Sequence, residues 1–169
     1  MSFAANVDAK AGEALVVFND LRGVLRELEI DARAASNNEL RAEFQGDAQY
    51  DPIKVRFTFP ERYGIVAVEG LLLSLAGDPS EELRLAVNFL NQELQGLKLY
   101  VQGDSEQSDV VISANLIPTL DSSPTLHPRE VQQALMALCA HKAIFAGPLE
   151  RVQGGHPWRF VRDAMKALK

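Results

Sequence analysis

The chain has 169 residues, 47% of them hydrophobic and 24% charged, with a formal net charge of −6. That length and balance suit one folded domain with at most a small appendage, and they exclude a disordered chain. The acidic balance disfavours direct binding of DNA or RNA, whose affinity comes mostly from basic contacts to phosphate, and it favours a basic protein partner.

The first element is a helix from about Ala11 to Leu28, because Phe18, Leu21, Leu25 and Leu28 recur at 3,4,3 spacing and line one face. A short extended piece is expected at "IDARAA", followed by a turn at Ser36–Asn38. Alternation then takes over. Leu40, Ala42 and Phe44 point one way, and Ile53, Val55, Phe57 and Phe59 alternate with Lys54, Arg56 and Thr58 as a half-buried antiparallel strand. The run from Tyr63 to Leu75 is apolar on both faces, so it is either a central strand or one covered by a partner, and Gly70 is a candidate bulge.

"GDPSEELRLAVNFLNQELQG" carries the best helix punctuation. Asp78 is the expected N-cap, Pro79 the first helical residue, Glu81 the capping-box acid and Gly96 the stop. Leu83, Val87, Leu90 and Leu94 form its apolar stripe. A strand hairpin follows, Leu97–Gln102 and Asp109–Leu116, joined by "GDSEQSD". The polar, proline-bearing stretch from Asp121 to Pro128 reads as a connecting loop. A long helix is expected from Pro128 to about Phe145, punctuated by "GPLERVQGGHP", and a short amphipathic helix bears Trp158, Val161, Met165 and Leu168. The element order gives an α+β class, an antiparallel sheet with flanking helices.

Chemical motifs are sparse. The single Cys139 lies among small apolar helix formers and reads as a small buried hydrophobe. His127, His141 and His156 stand at no metal-ligand spacing, so neither a metal site nor a cofactor is expected. There is no GxSxG, P-loop or dinucleotide fingerprint. Glu81 and Glu82 are explained by the helix dipole, and Lys54 with Arg56 by a solvated sheet face. "MSFAANVDAKAGEAL" has no basic leader followed by an apolar run, and no apolar stretch reaches the ~20 residues of a membrane span, so a cytoplasmic location away from membranes is expected.

Asn88 and Asn91, in "LAVNFLNQEL", are i, i+3 neighbours whose amides share a helix face. Each offers donors and an acceptor, enough to pin an adjoining strand or a second subunit. Leu83, Leu85, Val87, Phe89 and Leu90 of the same helix point in several directions, which asks for a second covering layer. A two-fold homodimer is the commonest solution, with Leu83, Val87, Asn88, Leu90 and Asn91 as dimer or structural residues. Ile65, Ala67, Leu71 and Leu73, on one side of the doubly apolar strand, are the candidate protein-binding residues; a bulge at Gly70 would change the face of those beyond it.

"LAVNFLNQELQGLKLYV", the hairpin ending in "LIPTL" and the helix after "SPTLHPREV" resemble the YbjN family over Ala11–Ala146. The resemblance implies a fold similar to type III secretion chaperones, which are small acidic homodimers that hold an extended segment of a client. It supplies no catalytic residue. A narrower likeness, to the Deinococcus branch of this group, implies a single-stranded-DNA-binding repair protein as the partner and a place in the DNA damage response. The division that follows is a YbjN-like domain over 1–150 and a helical tail over 151–169. The function expected is a non-enzymatic protein-binding chaperone or adaptor. The alternatives are a small-ligand sensor or enzyme whose pocket forms only on folding, and, third, direct binding of single-stranded nucleic acid through Tyr63, Trp158 and neighbouring Arg residues.

Overall fold

A computed structural model describes residues 17–48, 50–59, 65–120 and 124–166. Among these, six strands form one antiparallel sheet. The strands are β1 (Ala32–Ser36), β2 (Glu39–Phe44), β3 (Ile53–Thr58), β4 (Val66–Ala76), β5 (Leu97–Gly103) and β6 (Gln107–Leu116). Their spatial order is β1-β2-β3-β4-β6-β5. The helices are α1, described over residues 17–27, α2 (Glu81–Glu93), α3 (Pro128–Gln153) and α4 (Arg159–Lys166). A two-stranded ribbon pairs β7 (Thr119–Leu120) with β8 (Pro124–Thr125), and β8 lies in the segment expected to be a loop. The α+β class and the antiparallel sheet are as the alternation predicts. Residues 11–16 of the expected first helix, Tyr63 and Leu168 lie outside the described residues.

The core forms between one face of the sheet and the helices. Leu40, Ile53, Val55 and Phe57 meet Val66, Val68, Leu72 and Leu75, then Val110, Ile112, Ala114 and Leu116. Period-two alternation places them on one side, with the irregularity between Leu71 and Leu73 bringing Leu75 back to the side of Leu72. Helix α3 lies over β4 and β6 and contributes Val131, Leu135, Leu138, Cys139, Phe145, Leu149 and Val152, all buried. Helix α1 adds Phe18, Leu21 and Leu25, with the Phe18 and Phe59 rings 5.2 Å apart. Strand β4 is central in the sheet, between β3 and β6.

Several local expectations are corrected. Gly70 is no bulge: it pairs in regular register with Val55 and Ile112, and the irregularity falls between Leu71 and Leu73. Gly70 is needed for space instead, since a Cβ there would lie 2.5 Å from Ile53 Cδ1. The N-cap of α2 is Ser80, not Asp78, because Ser80 Oγ accepts from Leu83 N at 3.2 Å. The Asp78–Ser80 turn is clamped by Gln153, whose Oε1 accepts from Ser80 N at 2.8 Å and whose Nε2 donates to Asp78 O at 3.2 Å. Helix α3 does not stop near Phe145 but continues through Pro148 to Gln153. A proline crowds the Cβ of the residue before it, and here that residue is Gly147, which has none. The expected boundary at residue 150 therefore falls inside α3, and beyond it Val161 of α4 is fully buried in the common core.

Candidate functional site

Among the described residues the helices lie on one face of the sheet; the opposite face is open and holds a cavity of about 830 Å³. Side chains that alternate with the core positions line it: Arg33 of β1, Arg41 and Glu43 of β2, Lys54 and Arg56 of β3, Glu69 and Leu71 of β4, Val111 and Asp109 of β6 and Gln102 of β5. Register sets several of these side by side. Arg33 stands opposite Arg41, Arg41 opposite Arg56, and Arg56 opposite Glu69. Three arginines in a row repel one another, and each has a carboxylate to offset this. Arg33 pairs with Asp31 at 3.6 Å, Arg41 with Glu39 at 2.5 Å and Arg56 with Glu69 at 2.6 Å.

The centre of the face is a four-residue network. Arg56 Nε donates to Glu69 Oε2, and Arg56 Nη2 donates to Gln102 Oε1 at 3.0 Å. Tyr100 Oη donates to the other oxygen, Glu69 Oε1. Tyr100 sits on β5 and Glu69 on β4, with β6 between them, so the tyrosine side chain reaches across β6. Val111 stands directly opposite Tyr100 and is only 3% exposed, although it lies outside the main core cluster. Burial, then the hydrogen bond to Glu69 and its negative charge, push the Tyr100 hydroxyl up to about 12. Burial pulls the Arg56 guanidinium down, but the hydrogen bond and charge of Glu69 outweigh it and raise it. Tyr100 thus holds its proton at neutral pH and acts as a donor.

The raised Tyr100 value carries a pH dependence. The folded value, about 12, lies above the ordinary 10.0 of a tyrosine. Its contribution to stability is complete below pH ~10 and is lost as the pH rises through ~12. Discounted for partial solvent screening, that contribution is about 1 kcal/mol. One of the three tyrosines should therefore ionise late in an ultraviolet difference titration, and Tyr100→Phe should remove that late step.

The expected site residues separate. Ala67 and Leu71 are half-buried and, by alternation with the core positions Val68 and Gly70, belong to the open face; Ile65, also half-buried, immediately precedes β4. Leu73 leaves the group. The irregularity after Leu71 sets it opposite Val110, on the core side, and it packs against the core. Leu83, Val87 and Leu90 are buried against the protein's own core, with Ala86 between them. The remaining apolar side of α2 meets α4 of the same chain. The Phe89 and Trp158 rings are 5.5 Å apart, and Glu82 Oε2 accepts from Trp158 N at 2.6 Å. The second layer that the apolar pattern of α2 asks for is supplied in cis, leaving Leu85 at 42% exposure. Glu82 thus has a partner beyond the helix dipole.

The two asparagines part company. Asn91 Nδ2 donates to Leu99 O and Asn91 Oδ1 accepts from Leu99 N, both at 2.7 Å. β5 is an edge strand, so this amide takes the place of a neighbouring strand's peptide and covers part of an edge otherwise open to pairing. Asn88 is exposed and makes no side-chain hydrogen bond to the described residues. Asn91→Ala should cost about 2 kcal/mol, two net hydrogen bonds. Asn88→Ala should stay within about 0.5 kcal/mol. Urea unfolding of the two variants measures the difference.

Other candidates are structural in place. Cys139 is fully buried, with Sγ 3.5 Å from Asp51 O. His141 Nδ1 is 2.6 Å from Ala137 O, one helical turn back, and His156 lies against the Phe160 ring. No group of three or more metal-ligating side chains occurs among the described residues. No described helix is long and apolar enough to cross a membrane.

Glu69, Tyr100 and Gln102 escape the sequence reading. The signal for Glu69 is present, since it is the one charge inside "YGIVAVEGLLLSL". Tyr100 and Gln102 give no local sign, because only the crossing order β4-β6-β5 brings them to it.

The sequence matches no protein-family profile and no curated protein. Among solved structures, it is similar to YbjN of E. coli, described as a proposed transcription regulator, with 12% identity, 74% of this chain and 93% of that one covered, and a TM-score of 0.41. It is also similar to the ZhuI aromatase/cyclase of Streptomyces sp. R1128, with 13% identity, 93% and 89% covered, and a TM-score of 0.27. Neither overlap is close enough to carry a function across, and neither concerns a single-stranded-DNA-binding protein or its partner.

Proposed function

We propose that this protein is a non-enzymatic binding module, an adaptor or chaperone that receives an extended segment of a partner protein on its open sheet face. The observation that carries this reading is the cavity of about 830 Å³ on the uncovered side of the sheet. Its floor combines half-buried Leu71 and buried Val111 with a polar network whose members hold one another in place. A floor fixed in that way meets a ligand without first having to be ordered, which lowers the entropy cost of association. The cavity volume also falls in the range of small-ligand sites, roughly 300–1,000 Å³. A compact organic ligand is therefore the second reading.

Peptides selected from a random-sequence display library against the intact protein test the first reading. They should lose about tenfold or more in affinity with Leu71→Lys, the loss of ~1.4 kcal/mol at a central contact. They should be indifferent to Leu85→Lys on the outer side of α2. Selected peptides that are insensitive to Leu71→Lys would place binding elsewhere. Failure to select any peptide, with saturable uptake of small molecules from a fragment screen, would favour the second reading.

A further inference from the structure

On the reading that the open face receives a peptide segment, we propose that its centre is a carboxylate-recognition site formed by Arg56, Gln102 and Lys54, and that the segment it takes is acidic at that position. Most acceptors of this face are already used, while several donors are not. Both oxygens of Glu69 are occupied, one by Arg56 Nε and the other by Tyr100 Oη. The Gln102 carbonyl oxygen is occupied by Arg56 Nη2. Asp109 Oδ1 accepts from Ser74 Oγ at 2.8 Å, and Asp31 faces Arg33. On the donor side, Arg56 Nη1, Gln102 Nε2 and Lys54 Nζ make no hydrogen bond to any described residue, and all three residues line the same cavity. Arg56 is held by Glu69 and Gln102 and so presents its outer edge in a fixed direction, the geometry in which a guanidinium takes a carboxylate best.

The lining as a whole is balanced, with Arg33, Arg41, Lys54 and Arg56 against Asp31, Glu43, Glu69 and Asp109. Exposed Glu43 stands opposite Lys54 in register and is within 4 Å of no described cation. Such a surface suits one or two carboxylates among apolar neighbours. It does not suit a nucleic-acid strand, which needs a continuous basic excess and several stacking rings, whereas Tyr100 is the one aromatic of this network.

The test uses fluorescently labelled octapeptides that alternate valine with glutamate, with glutamine or with lysine, and a single-stranded dodecanucleotide, each titrated against the full-length protein by anisotropy. The glutamate peptide should bind about tenfold more tightly than the glutamine peptide, which is one charge-assisted hydrogen bond of ~1.4 kcal/mol. Lys54 is exposed and makes no hydrogen bond or ion pair with a described residue, so Lys54→Gln should fold normally. It should reduce that preference severalfold. The Gln102 side-chain amide signal should shift with the glutamate peptide alone.

Equal binding of the glutamate and glutamine peptides, abolished by Leu71→Lys, would overturn the carboxylate site and leave the open-face reading standing. No binding of any octapeptide, or binding indifferent to Leu71→Lys, would remove both. A preference for the lysine peptide, or submicromolar binding of the oligonucleotide that Lys54→Gln weakens, would overturn the acidic-peptide proposal in favour of another ligand.

Discussion

Val161→Asp should release α4 from the body of the protein. Val161 is fully buried where α4 packs against α3 and α2, and Trp158, Phe160 and Met165 flank it against the core. A carboxyl group placed there without a partner costs about 4 kcal/mol, near the top of single-residue effects. In a chain of this length that is a fall of roughly 10 °C in Tm if the whole domain responds. Local undocking of α4 caps the loss, so the sharper readout is fluorescence. Trp158 is the sole tryptophan, and its emission should move to that of a solvated indole while the far-ultraviolet dichroism of the sheet persists. Undocking would also bare Phe89 beside exposed Leu85, so the variant should self-associate more strongly than the parent. Unchanged emission would mean that α4 does not cover α2 in solution.

Gly70→Ala is the second large effect, and it comes from space, since Gly70 is not among the residues with positive φ. The added Cβ would lie 2.5 Å from Ile53 Cδ1 and 3.4 Å from Ile112 Cγ2, and both isoleucines are fully buried. Overpacking of this kind costs about 3 kcal/mol, because Ile53 must leave its rotamer inside a filled core. Ile53→Val deletes the offending methyl and alone costs about 1 kcal/mol. The double variant should be about 1–2 kcal/mol more stable than the sum of the two single effects predicts, a coupling that urea unfolding resolves. Additive effects would show that Gly70 is there for its backbone and not for Ile53.

These two positions mark where the sequence is readable and where it is not. The strand Ile53–Thr58 is legible because a half-buried strand alternates with period two, and Gln107–Leu116, expected over Asp109–Leu116, is legible from its Val and Ile content. Helix α2 is legible from its apolar spacing, yet its cap falls two residues from the expected one. Asp78 and Ser80 are both good caps, and the choice is made by Gln153, 73 residues beyond Ser80, which fixes the turn between them. Gly70 suggests a bulge because a glycine in a strand has two common uses, and only the tertiary neighbour Ile53 decides between them. The tail beyond residue 150 shows its amphipathic pattern but not its destination. The surplus apolar side of α2 points by pattern to a second subunit, and in the fold α4 covers it.

The candidate site is legible in part. Ala67 and Leu71 follow from the doubly apolar strand, but Leu73 is carried to the other side by one extra residue in β4. Arg56 looks in sequence like one more solvated strand cation. Its role depends on Glu69 directly across β3 and β4, and on Tyr100 reaching over β6, neither of which has a sequence-local signature.

The central claim is that the open sheet face receives a partner segment. Amide chemical-shift mapping of the isotope-labelled protein, titrated with a peptide selected from the display library, tests it most directly. The account predicts perturbations concentrated at Lys54, Arg56, Ala67, Leu71, Gln102 and Val111, with the buried faces of α2 and α3 silent. Perturbations clustered instead around Leu85, Phe89 and Trp158, with Lys54, Leu71 and Gln102 unmoved, would contradict it.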